Sequence, residues 1–232
     1  MEKERNREMK KGLSASTLKW IAVISMLIDH FAIAIYWQMR QHNYETYRML
    51  RYAGRIAFPI YCFLLVEGFI HTRNVKKYIG RCFLFACISE IPFDMAIHGA
   101  IWYPQNQNVY FTLVIGLCTL YVLDRLKGNE MKDMLARIGC IAVGAGLAQI
   151  LEVDYHYLGV LFIVMFYYLR NRNTLQRDII GAIAFSYEIT APLAFIPIHF
   201  YNGKRGLPLK YAFYMVYPVH LLIYGIIRMY LL

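Results

Sequence analysis

Eight apolar runs, separated by short polar segments, leave this chain few ways to fold. They cover residues 18–39, 54–71, 77–97, 109–123, 134–151, 155–169, 178–200 and 211–231. A bilayer core is crossed by about 20 apolar residues of helix, and these runs are of that order. Backbone polar groups find no partner in lipid, so only helices and closed barrels span it, and continuous runs of this kind are helices. Hydrophobic residues make up 59% of the chain, above the roughly half found in soluble domains. No polar segment is long enough to form a soluble domain. The expectation is an all-α polytopic transmembrane bundle of about eight spans. It forms one integral membrane domain over 18–232, preceded by a basic cytoplasmic segment over 1–17.

Loop charges orient the bundle, because Lys and Arg collect on the cytoplasmic side. Six of them fall in Met1–Lys19, and the run that follows is too long for a cleaved leader. The expected location is the inner (cytoplasmic) membrane, with the N-terminus inside. Segments 72–81, 124–137 and 170–177 are basic, whereas 98–108 has no Lys or Arg and 152–154 has only Glu152 and Asp154. That alternation fits an inside N-terminus. Two segments resist. The segment 40–51 should be outside yet carries Arg40, Arg48 and Arg51, and 201–210 carries Lys204, Arg205 and Lys210. Pro192 and Pro197 interrupt the run before the second one. Either 178–200 is a discontinuous or re-entrant pair of half-helices, or the charge bias simply fails there.

The net charge of +10 is spread between the spans, which argues against nucleic-acid binding. The five cysteines all lie in apolar runs without CxxC spacing, so neither a disulfide framework nor a metal site is expected. No nucleotide loop, HExxH or GxSxG is present.

Against this background the buried polar residues stand out. Asp29 and His30 sit in mid-run, where an ionisable group costs roughly 2.5–3.5 kcal/mol. Histidine is the general base nearest neutrality, and a carboxylate can orient it; alternatively the pair bonds helices together. Arg55 either holds a carboxylate or developing oxyanion or is an interfacial arginine. Glu67 and His71 share a helix face, and Arg73, Lys76, Lys77 and Arg81 follow. This cationic collar suits a phosphorylated cofactor, or is ordinary cytoplasmic charge. Glu90 and Asp94 also share a face. With Asn106, Asn108, Thr112, Glu152, Asp154 and His156 they make an acidic outer vestibule suited to an amine or hydroxyl acceptor, unless they are plain loop polarity. His220 lies mid-run near the C-terminus, as a functional group or a packing hydrogen bond. Asn202-Gly203-Lys204-Arg205-Gly206 is a basic turn able to cradle phosphate, or a simple hairpin.

The ordered pieces Ile28-Asp29-His30, Gly54-Arg55-Ile56-Ala57-Phe58-Pro59, Val66-Glu67-Gly68-Phe69 and His71-Thr72-Arg73-Asn74 carry a resemblance. So do Ile91-Pro92-Phe93-Asp94, Asn108 with Phe111-Thr112-Leu113, Tyr201 through Gly206, and Tyr217-Pro218-Val219-His220. Over about 18–222 the chain resembles the TraX family. These membrane proteins are named after a conjugal-transfer protein that acetylates the N-terminus of F-type pilin. The family is similar to multi-span membrane acyltransferases, including those that acetylate lysosomal heparan glucosamine. The resemblance implies an acyl-CoA-dependent N- or O-acetyltransferase with acetyl-CoA as donor, no metal, and a pilin-like protein or glycan as acceptor. His30 would be the general base and Asp29 its partner, with Arg55 and His220 beside them. His71, Arg73, Lys77, Arg81, Asn202, Lys204 and Arg205 would hold CoA. Glu67, Glu90, Asp94, Asn108, Thr112, Glu152 and Asp154 would face the acceptor. Intramembrane carboxylates and histidines also suit a proton-coupled transporter, and a non-catalytic scaffold of a conjugation or secretion complex is a third reading.

Overall fold

The computed structural model describes residues 12–208 and 210–232; residues 1–11 of the basic segment lie outside them. The described residues form helices joined by turns, with two isolated bridges and no strand. The helices are α1 (Ala15–Ala34), α2 (Tyr44–Gly54), α3 (Ala57–His71), α4 (Val75–Phe93), α5 (Val109–Leu123) and α6 (Met131–Ile150). They continue with α7 (His156–Leu169), α8 (Thr174–Ala184), α9 (Phe195–His199) and α10 (Lys210–Tyr230). Polar residues set their starts. Ser14, Asn43, Asn74, Asn108 and Asn173 each accept a first-turn amide through the side-chain oxygen. Those amides otherwise have no partner inside the helix.

Four stretches are long and apolar enough to cross a membrane: Ala15–Gln38, Tyr44–His71, Met131–Ile150 and Tyr211–Tyr230. Val109–Leu123 and His156–Leu169 are apolar but shorter. Of the about eight spans expected, the described residues supply four of full spanning length. The two short ones begin beside a polar layer within the bundle: α5 at the buried Asn108, and α7 directly after the turn that carries Asp154.

Two runs are discontinuous. The first breaks at Gly54-Arg55-Ile56, between α2 and α3. Here the open carbonyls at the end of α2 are satisfied from other helices. The Ser25 hydroxyl donates to Ala53 and Gly54 oxygens at 2.6 and 2.9 Å, and the Thr190 hydroxyl donates to Tyr52 at 2.6 Å. The segment 40–51, expected as an outer loop, thus contains most of a helix that runs back into the bundle. Arg51 is there to meet Asp29, which explains a charge that the orientation rule could not.

The second break confirms the discontinuous alternative for 178–200. Helix α8 descends, turns at 185–190, and returns through the 3-10 turn Ala191–Ala194 and α9. The two arms close at their base, where Asp178 Oδ2 lies 2.7 Å from His199 Nδ1 and Arg177 Nη2 donates to the Ile198 oxygen at 3.2 Å. Gly181 is required between them, because a Cβ there would fall on the Phe195 ring. The tip is held by aromatic packing: Phe185 is buried and stacks on Phe162, ring centres 3.9 Å apart. Such contacts matter more in lipid than in water, since transfer from lipid into a protein core yields little hydrophobic gain.

The hairpin returns 201–206 to the end of the bundle from which α8 starts. The amides of Ala15 and Ser16 donate to the Lys204 and Arg205 oxygens at 2.8 and 3.1 Å. The start of α1, the loop after His71 and the loop 201–206 therefore share one end, the basic end. The opposite end carries 98–107 and 151–156, where Gln107 bridges to Val153.

Candidate functional site

Four irregular segments meet inside the bundle: the α2–α3 break, the tip of the α8–α9 hairpin, the start of α5 and the turn before α7. Arg51 Nη1 bonds Asp29 Oδ2 at 2.6 Å, and Arg55 Nε lies 3.3 Å from Glu188 Oε2 on the hairpin tip. Asp154, Asp29, Arg55 and Arg51 are within electrostatic range of one another. Asp29 keeps its other oxygen, Oδ1, buried without a hydrogen-bond partner. Gly54 makes this approach possible, because a Cβ at that position would land on the Asp29 carboxylate. Helices α3, α5 and α7 begin near this layer, so three positive dipole ends face it.

The turn that delivers Asp154 is strained. Glu152, Tyr155 and His156 have φ of 50°, 64° and 45°. Each such residue costs on the order of 1–3 kcal/mol, and such strain collects at functional sites. It is held by the Tyr155 ring stacked on Phe58, centres 3.5 Å apart, and by the Thr112 hydroxyl donating to the Asp154 carbonyl. Burial pushes the Asp154 carboxyl up to about 6, with the Asp29 charge adding to it.

Beside this charged layer His30 and His220 form a pair. His30 Nδ1 and His220 Nε2 are 2.7 Å apart, and the rings stack at 5.0 Å. His220 Nδ1 lies 2.7 Å from the Val216 oxygen. That carbonyl can only accept, so His220 Nδ1 carries the proton. The neutral His220 Nε2 then accepts from His30 Nδ1–H, and the His30 Nε2 lone pair is left free. The relay orients one basic nitrogen. His30 thus bonds His220, and Asp29, expected as its partner, bonds Arg51 instead. Adjacent residues of a helix point about 100° apart, so the two cannot share one partner direction.

The remaining candidates divide between the two ends. His71, Arg81, Arg205 and Glu67 line a cavity of about 430 Å³ that opens at the basic end. Arg73, Lys77 and Lys204 are exposed at that end, and Asn202 pins the loop by donating to the Gly12 oxygen at 3.0 Å. Toward the other end, Glu90 accepts from both the amide and the side chain of Asn108, and Asp94 accepts from the Tyr103 amide at 2.8 Å. Glu152 is half exposed and pairs with His156 at 3.6 Å, away from the buried layer. Among the described residues no cluster of His, Cys, Asp and Glu could hold a metal. Arg51, Glu188, Tyr155 and Tyr217 escaped sequence reasoning. Arg51 left a signal as a misplaced charge, Glu188 as an acid within an apolar run and Tyr217 only as part of the family resemblance.

A family model described as TraX protein matches residues 14–228, which include every residue of this site. The chain belongs to the TraX family. A relative of this TraX chain from Dichelobacter nodosus, named probable fimbrial assembly protein FimC, serogroup H1, is 30% identical, over 94% of this chain and 97% of its own length. No solved structure matches the chain.

Proposed function

We propose that this TraX protein is an integral membrane acyltransferase that moves an acetyl or other acyl group from acyl-CoA to an amine or hydroxyl acceptor. The observation that carries the reading is the Val216–His220–His30 relay with its free Nε2. Lys19, Arg81 and Arg205 at the cavity suit the CoA phosphates. His30 Nε2 takes the proton of the acceptor as its nitrogen or oxygen bonds the acyl carbon. The carbon–sulfur bond then breaks and CoA leaves as the thiol after receiving a proton. Arg55 and the three helix starts suit the developing oxyanion. Glu90, Asp94 and Asp154 suit the acceptor side, with a protein N-terminus or a glycan as the acceptor class.

With the basic end in the cytoplasm, the described helices make seven transits and one re-entrant hairpin across an inner membrane. Arg73, Lys77, Arg172 and Lys204 then obey the positive-inside bias. The name of the relative favours a second reading, a non-catalytic part in fimbrial assembly. The discontinuous helices meeting at a charged layer also suit a carrier.

One experiment separates these readings. Detergent-purified protein is unfolded thermally with acetyl-CoA and with its 3′-dephospho analogue, and acetyl transfer to candidate acceptors is followed. The expected result is a saturable shift that weakens without the 3′-phosphate. His30→Gln should retain the shift and lose about 10²–10⁴-fold in transfer. A protein that unfolds cooperatively yet ignores every acyl-CoA would return the assembly or carrier reading.

A further inference from the structure

The cavity stops short of the histidines. On α1, Lys19, Val23, Met26 and His30 are spaced four, three and four apart and form one stripe. Lys19 and Val23 line the cavity, whereas Met26 and His30 do not. Helix α10 carries the matching stripe of Phe213, Tyr214, Tyr217 and His220, of which the first two line the cavity. The line from Lys19 to His30 is about 16 Å along the helix axis, a distance that an extended pantetheine arm crosses.

A wall closes that line. The Tyr61 hydroxyl sits 3.7 Å from Met26 Sδ, and Met26 is buried. Alongside, Tyr110 meets Tyr217 edge-on with ring centres 5.1 Å apart. Tyr217 in turn lies edge-on to His30 and His220, at 5.9 and 5.7 Å. Three of the four wall residues are rigid rings wedged in the core. Met26 alone is unbranched and able to change rotamer at little cost.

We infer that Tyr61, backed by Met26, closes the donor cavity one layer short of His30 and restricts the transferred acyl group to a short one. Swinging Met26 aside opens the space behind Tyr61 by about the width of the methionine side chain. An acetyl group fits through it; a long acyl chain needs the tyrosine rings to move as well. This inference rests on the acyl-CoA reading, and its test keeps the two apart.

Full-length protein is titrated with CoA, acetyl-CoA, butyryl-CoA and octanoyl-CoA, with unfolding temperature as the readout. In the wild type, octanoyl-CoA should need about tenfold more ligand than acetyl-CoA for half the shift. In Met26→Ala that gap should close, with the acetyl-CoA response unchanged. Tyr61→Phe keeps the ring but releases Met26, and should narrow the gap even if Met26→Ala fails to fold. A wild type that accepts octanoyl-CoA as readily as acetyl-CoA, or a gap that survives both variants, overturns the inference while leaving the donor reading intact. A protein that responds to no CoA derivative overturns both.

Discussion

Helix α6 and the two discontinuous helices solve opposite problems with equally apolar sequence. From Ile138 to Ile150 α6 carries no charge, runs unbroken, and packs only its Gly144 and Ala148 side into the bundle. Ile138, Val143 and Ile150 are more than half exposed, as suits a face turned to lipid. The α2–α3 and α8–α9 pairs have glycine, proline and charge in place of continuity, and tie their breaks to neighbouring segments. Opened backbone is tolerable at membrane depth only where other groups complete its hydrogen bonds. Here Ser25 and Thr190 complete the first break, and Arg55 and Glu188 join it to the second. Of these two regions, the unbroken α6 is packing material, and the broken helices carry the charged layer.

The sharpest test of that contrast is to remove a charge from each region. Arg51→Met leaves the buried Asp29 without its bonded cation and should cost about 3–5 kcal/mol in stability. Adding Asp29→Asn should recover most of it, which a double-mutant cycle on thermal or denaturant unfolding measures. The pair Lys132–Glu130 at the start of α6, 2.9 Å apart, is exposed on both sides. Lys132→Met should therefore cost under about 1 kcal/mol. Equal losses in the two places would break the comparison.

The same contrast explains what the sequence could and could not reveal. Lipid leaves only helix for the eight runs, so fold class was legible from composition and spacing alone. Asp29, His30 and His220 were legible as candidates because ionisable groups in apolar runs carry a known cost. Pairings were not. That His30 meets His220 across 190 positions depends on which faces of α1 and α10 touch, and both helices are apolar on several faces. The depth of each helix start was hidden for the same reason. A run of 15 residues reads as a short span whether it begins at the membrane surface or, like α5, at a buried Asn108.

The next test concerns protons at the meeting point of the breaks. Burial pushes the Asp154 carboxyl up to about 6. The folded chain therefore holds that proton more tightly than the unfolded chain does. The associated stability is fully present below the ordinary carboxylate range and is lost as pH rises through about 6. A shift of about two units amounts to roughly 3 kcal/mol by pH 7. Asp154→Asn should remove this part of the pH dependence. Unfolding temperatures of the two proteins from about pH 4 to about pH 7 measure it, and parallel curves would place Asp154 in contact with water.

The smallest effect discriminates best, because one substitution should carry opposite signs in the two regions. Gly54→Ala drives a Cβ into the Asp29 carboxylate. It should cost about 1–3 kcal/mol, as overpacking does, and should displace Arg51 and disturb the neighbouring His30. Gly139 on α6 is exposed, with nothing near where its Cβ would stand. Gly139→Ala should instead stabilise by about 0.5–1 kcal/mol, since alanine is the better helix former. Unfolding of both variants beside the wild type reads the two signs together. If Gly139→Ala also destabilises, that face of α6 is covered by something larger than lipid chains, and α6 must be counted as an interface rather than as packing.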